Sequence, residues 1–259
     1  MRIVITGAAG RIGIQMVEEL SEDHDLCLID RVCLQRRKSV VADLARNHGG
    51  ALRRSWWPFG RSSWIDSFGG ADVVLHLAGD VRNDAPWDSV YVNNIKATWN
   101  VLEAAVRFQV PRVIFASSNW AVRSLEQSLA PACYQPHGPK IDSAAPPQPM
   151  RPYGISKALG EIAGRMFVDQ RQLRSFVAVR IGAYGPEAVE TDERLRAIWV
   201  GVQDVRSLLR RCVESSLEGF HVVYGVSSQP TAPYDLSYTC KCLSWQPRQS
   251  ALNGRIKED

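Results

Sequence analysis

Short apolar runs rich in β-branched residues alternate along this chain with stretches of helical period. The first, Arg2-Ile-Val-Ile-Thr6, is continuous rather than alternating, as a strand buried on both faces of a parallel sheet should be. The stretch Ile14-Gln-Met-Val-Glu-Glu-Leu20 then carries a helical pattern. Further strand-like runs are Asp25–Asp30, Ala71–Gly79, Pro111–Ser118 and Ser175–Arg180, with helices expected over Asn94–Phe108 and Pro152–Asp169. Strands separated by helices predict an α/β fold built on a doubly wound parallel sheet. The interval from Trp120 to Met150 is Pro-rich and is expected to form no regular secondary structure.

Between the first strand and its helix stands Gly7-Ala-Ala-Gly10-Arg11-Ile12-Gly13. Glycines let a backbone turn tightly and approach a pyrophosphate, which then sits on the helix N-terminus. The second strand ends in Asp30, seventeen residues after Gly13, where an acid can accept hydrogen bonds from an adenosine ribose. Together these make residues 1–180 a Rossmann-type dinucleotide-binding domain and favour NAD as cofactor. Asp30 would repel the 2′-phosphate of NADP, a preference that the neighbouring Arg31 moderates. Residues 181–259 then form a small C-terminal substrate-binding portion packed on the first domain as one globular unit.

The strand Pro111–Ser118 ends in two hydroxyls, Ser117 and Ser118, at the edge where open α/β sheets bind ligands. Tyr153 and Lys157, four residues apart, fall on one face of the helix that opens at Pro152. An ammonium beside a phenol favours the phenolate, so Tyr153 is expected to have a lowered pKa and to act as general base. Ser118 would hold the substrate oxygen opposite it. His137, in the Pro-rich interval, reads as a surface residue.

Composition narrows the partners. The chain has 259 residues, 45% of them apolar, a formal net charge of +4 and six cysteines without disulfide-framework spacing. No apolar run is long enough for a membrane span, and the N-terminus enters a strand directly. These features read as a soluble cytoplasmic protein with reduced thiols, no membrane partner and no metal. Between Arg46 and Trp64, arginines interleave with tryptophans, a composition that can bind single-stranded nucleic acid. No nucleic-acid motif accompanies it, so the segment is expected to be a surface helix and loop with tryptophans covering the sheet edge.

The Gly-x-x-Gly-x-x-Gly spacing resembles that of the extended short-chain dehydrogenases/reductases, the NAD-dependent epimerase/dehydratase superfamily. Asp43-Leu44, the run Leu77-Ala78-Gly79 and Asn94-Ile-Lys-Ala-Thr98 resemble that family's cofactor-lining segments, and Arg180-Ile181-Gly-Ala-Tyr-Gly-Pro186 matches its Arg-x-x-x-x-Gly-Pro, which implies a cofactor contact for Ile181. Ser118, Tyr153 and Lys157 match its catalytic triad in order. Within the family, Phe-Ala-Ser-Ser-Asn119, Tyr153-Gly-Ile-Ser-Lys-x-x-Gly-Glu161, Val179-Arg-Ile-Gly182 and Leu243-x-Trp-x-Pro247 resemble the uronate dehydrogenases. That resemblance implies oxidation of a uronate to its aldarolactone. Ser117, Ser118, Asn119, Tyr153 and the position of Ala183 would lie around the sugar, and Arg194 would grip its carboxylate. It also implies a homodimer or larger homo-oligomer through the helices Asn94–Phe108 and Pro152–Asp169. Three departures fall on the substrate side: Ala183 replaces a serine, Val122-Arg-Ser-Leu replaces a Gly-Tyr-Tyr, and Ser244 replaces the glycine of a Leu-Gly-Trp. A sugar epimerase or dehydratase and a non-catalytic NAD sensor are the other readings.

Overall fold

The computed structural model describes residues 1–34, 39–46, 63–189 and 191–251. The described strands are β1 (Arg2–Thr6), β2 (Asp25–Asp30), β3 (Ser39–Val41), β4 (Val73–His76), β5 (Arg112–Ser118), β6 (Ser175–Ile181), β7 (Ala183–Tyr184), β8 (Trp199–Val200) and β9 (Gly219–Gly225). The helices are α1 (Arg11–Leu20), α2 (Trp87–Val90), α3 (Ala97–Arg107), α4 (Arg123–Leu129), α5 (Arg151–Asp169), α6 (Glu193–Ala197), α7 (Val202–Glu214) and α8 (Ser237–Leu243). A π-helical turn, Tyr91–Lys96, joins α2 to α3.

Seven strands make one parallel sheet in the order β3-β2-β1-β4-β5-β6-β9, while β7 and β8 pair separately. The chain winds outward from β1 to β3, then crosses back to place β4 on the other side of β1. A crevice opens at such a reversal, beyond the carboxyl ends of the strands. Side chains alternate across the sheet, and both faces are buried. Val4, Ile29, Val74, Val113 and Phe176 enter one apolar layer with Val101, Leu102 and Ala105 of α3. Ile3, Ile5, Leu75, Ile114 and Val179 enter the other with Met16 and Leu20 of α1 and Leu208 and Leu209 of α7.

Two expectations need correction. The C-terminal portion is not merely packed on the dinucleotide domain, because it supplies β9, paired with β6 over seven residues from Ser175↔Gly219 to Ile181↔Gly225. The run Val222-Val223-Tyr224 makes this edge position favourable by burying Val223 and Tyr224 completely. From the same portion, α7 covers α1, with Arg206 Nε 2.8 Å from Glu19 and Arg210 bonded to Asp23. The Pro-rich interval, expected to be irregular, contains α4, whose Leu125 and Leu129 lie one turn apart against an apolar cluster with Ile198 and Tyr234. Most of the Arg/Trp-rich segment lies outside the described residues. Its last residue, Trp64, is buried edge-on against Phe68, with ring centroids 5.7 Å apart.

Candidate active site

The glycine turn sits directly beneath the crevice. Gly7 has φ 72°, a left-handed conformation, and a Cβ there would meet Ala78 N at 2.6 Å. A Cβ on Gly13 would lie 2.1 Å from Gly7 O, so the third glycine lets α1 pack against the turn. Gly10 is the N-cap residue of α1 and has no side chain to cap it, leaving first-turn N–H groups to a ligand. Asp30 Oδ2 accepts the Ala9 N–H at 2.9 Å, which ties the end of β2 to the turn. From Asp30 and Asp43 a cleft of about 790 Å³ runs past Gly10 and Gly79 to Tyr153 and Lys157. A bare turn, a helix N-terminus and a ribose-side carboxylate along one groove fit a dinucleotide.

At the far end, α5 lies close on the sheet. A Cβ added to Gly160 would be 2.4 Å from the ring of Phe115, so only glycine permits this approach. Lys157 Nζ thereby reaches Ala116 O at 2.8 Å and stands 5.0 Å from the Phe115 ring centroid and 5.7 Å from that of Tyr153. Burial lowers the Lys157 pKa to about 8. Tyr153 does not show the lowered pKa expected from the sequence: burial raises it, against the opposing hydrogen bond from Ser118, and Asp80 adds to the rise. The phenol is 8% exposed, and desolvation outweighs its polar neighbours. Ser118 donates to Asn119 Oδ1 at 3.2 Å and accepts from Trp120 N at 3.3 Å.

The cleft brings together nearly all the expected cofactor residues: Gly7, Gly10, Arg11, Ile12, Gly13, Asp30, Asp43, Leu44, Leu77, Ala78, Gly79 and Ile181, with Ser117, Ser118, Tyr153 and Lys157. Four expected residues stand off it. Asn94 is buried and braces the loop after β4, accepting the Asp80 N–H at 2.6 Å and donating to Asp80 O at 2.9 Å. Asn119 points toward Tyr234, and the Ala183 methyl packs into the cluster around Ile198. Arg194 is paired side-on with Glu126, Nε to Oε1 at 2.6 Å and Nη2 to Oε2 at 3.3 Å, so one edge of the guanidinium expected to grip a substrate is already taken by a carboxylate of the chain. Ser117 lines the cleft, but its hydroxyl is committed to Glu161 Oε1 at 2.5 Å. Glu161 in turn forms a buried pair with Arg180.

Three further groups enter the cleft. Asp80, held well below the usual carboxylate range by Arg82 and Ser89, follows Gly79 directly, a position adjacent to a recognised motif. Arg31 donates to both Asp43 (2.8 Å) and Asn93 (2.6 Å), which occupies the cation that could otherwise meet a 2′-phosphate. Tyr184 stacks under the Arg11 guanidinium at 5.2 Å. Among the described residues, no group of three or more His, Cys, Asp or Glu could hold a metal ion, and no helix is long and apolar enough to cross a membrane.

This combination of a doubly wound sheet, glycine turn and Ser–Tyr–Lys cleft defines a nicotinamide-dependent oxidoreductase of the short-chain type. The chain belongs to the NAD dependent epimerase/dehydratase family, whose model matches residues 3–205. It is 33% identical over 261 residues to the NAD-dependent glucose-6-phosphate dehydrogenase of Haloferax volcanii, covering 96% of this chain and 94% of that one. It is 30% identical to the L-arabinose 1-dehydrogenase (NAD(P)(+)) of the same organism, covering 96% and 97%. The crystal structure of uronate dehydrogenase from Agrobacterium tumefaciens superposes with a TM-score of 0.76 at 27% identity, over 97% of this chain and 85% of that one. By these relationships the chain is an NAD-dependent dehydrogenase.

Proposed function

We propose that this protein oxidises the anomeric hydroxyl of a small sugar or sugar acid to the lactone, with Tyr153 as the base. The observation that supports it best is the meeting of Tyr153, Lys157 and Ser118 with the glycine turn and Asp30 in one cleft. NAD, when bound, would supply the hydride acceptor and a positive charge that favours the phenolate. Gly7, Gly10 and Gly13 would admit its pyrophosphate, and Asp30 its ribose. The Ser118 hydroxyl orients the substrate oxygen toward Tyr153. As the C–H bond yields its hydride, the Tyr153 phenolate takes the hydroxyl proton, and C1 becomes a carbonyl carbon. Lys157 would serve twice, contacting the nicotinamide ribose and stabilising the phenolate. A uronate would give an aldarolactone and a neutral aldose an aldonolactone.

The test is NADH absorbance across a panel of uronates, neutral aldoses, sugar phosphates and nucleotide sugars. Tyr153→Phe should lower turnover by about 10²-fold or more while NADH affinity stays within a few-fold. Turnover retained in that variant refutes the proposed base. NADH binding without oxidation of any sugar refutes the catalytic reading.

A further inference from the structure

Glu126 on α4 has no role in the chemistry above, yet it is wholly buried and stands close to it. Its Oε1 accepts from the Tyr134 hydroxyl at 2.7 Å and from Arg194 Nε at 2.6 Å. Its Oε2 accepts from the Tyr234 hydroxyl at 2.6 Å and from Arg194 Nη2 at 3.3 Å. Arg123 Nη1 adds a more distant cation, 3.7 Å from Oε1. The carboxylate therefore has both oxygens satisfied, and one full edge of the Arg194 fork is used.

This cluster touches the reaction centre through its neighbours. The Arg194 guanidinium stacks 5.6 Å from the Trp120 ring, and the Trp120 N–H donates to Ser118 Oγ. Asn119, which accepts the Ser118 hydroxyl, also faces the Tyr234 hydroxyl bound to Glu126. The residue that the uronate resemblance assigns to the substrate's carboxylate is thus already holding a carboxylate, and that carboxylate belongs to the chain. A second one brought to the same guanidinium would meet Glu126 as a like charge in a buried setting, where repulsion is weakly screened. Displacing Glu126 would strand a buried anion away from its partner.

We propose that Glu126 occupies from within the chain the place of a substrate carboxylate, so that the site accepts neutral aldoses and turns uronates away. Glu126 is then a specificity-determining residue, and this inference rests on the sugar-oxidising reading of the site. A purely structural ion pair would change stability but not the choice between sugars that differ only at C6.

The experiment compares kcat/KM for the matched pairs glucose and glucuronate, and galactose and galacturonate, in the unmodified protein and in Glu126→Gln. The glutamine keeps the size and one acceptor oxygen, exchanges the other acceptor for a donor amide that a tyrosine hydroxyl can accept, and removes the charge opposite Arg194. The unmodified protein should favour each neutral sugar by about tenfold or more. Glu126→Gln should move the ratio toward the uronates by at least a similar factor, through KM. Preference of the unmodified protein for either uronate over its parent aldose overturns the proposal, whether or not the variant folds. So does an unchanged ratio in a variant whose circular dichroism shows it folded. Failure of every sugar to reduce NAD overturns the dehydrogenase reading and this proposal with it, an outcome distinct from uronate preference.

Discussion

Gly160→Ala tests whether the site's geometry depends on how closely α5 lies on the sheet. The added methyl would fall 2.4 Å from Phe115 Cζ, about 1 Å short of ordinary contact. Phe115 cannot swing aside cheaply. It is 1% exposed, with the His76 ring centroid at 5.8 Å, the Phe176 ring at 5.9 Å and the Lys157 ammonium on its face. The helix must therefore move outward by a substantial part of that 1 Å, carrying Tyr153 and Lys157 with it. Overpacking of this kind costs about 1–3 kcal/mol, and the better helix propensity of alanine returns up to about 1 kcal/mol. The expected outcome is a melting temperature lower by several degrees. A misplacement near 1 Å at a reacting group can cost about 10²-fold in rate, so kcat for the best sugar substrate should fall by one to two orders of magnitude. Melting by circular dichroism and NADH absorbance read the two effects separately. An alanine variant with unchanged melting temperature and full kcat would refute the close-packing argument.

Two further outcomes follow from the same frame. If Tyr153 is the base, as proposed, oxidation needs its phenolate, and since burial raises that pKa, kcat/KM should climb with pH through the neutral range. The rise should slacken above about pH 8, where Lys157 loses its charge; a flat profile speaks against Tyr153 as base. Trp99, Leu159 and Ile162 are exposed apolar residues on α3 and α5, the helices expected to pair. Light scattering should give a homodimer and Ile162→Glu a monomer, while a monomeric unmodified protein removes the expectation.

The cofactor half was legible because its chemistry is local. Gly7, Gly10, Gly13 and Asp30 act through a turn and a strand end whose form is dictated by neighbouring residues. Tyr153 and Lys157 were legible for the same reason, one helical turn apart. The phenol's pKa was not, since it depends on how much of the fold closes over it. Arg194 illustrates the limit best: its partner Glu126 lies 68 positions away, on a short helix hidden in a Pro-rich stretch. Likewise Ser117 looked free as a strand-end serine, but its acceptor Glu161 comes from a helix 44 positions on. Asn94 sits where the motif puts it, yet its amide turns to the loop backbone at Asp80 instead of the cleft.

The grip of α7 on α1 bears on the order in which this molecule can be assembled. Glu19 and Asp23 meet Arg206 and Arg210 across 187 positions, and the apolar face of α1 is covered by Leu208 and Leu209. During synthesis, the first helix of the nucleotide half leaves the ribosome with its cover still unmade. Residues 1–180 on their own would lack both that cover and the last strand of the sheet. The nascent chain must therefore hold an unfinished apolar layer until Val202–Glu214 and Gly219–Gly225 have been translated, an interval in which that layer is open to misassociation.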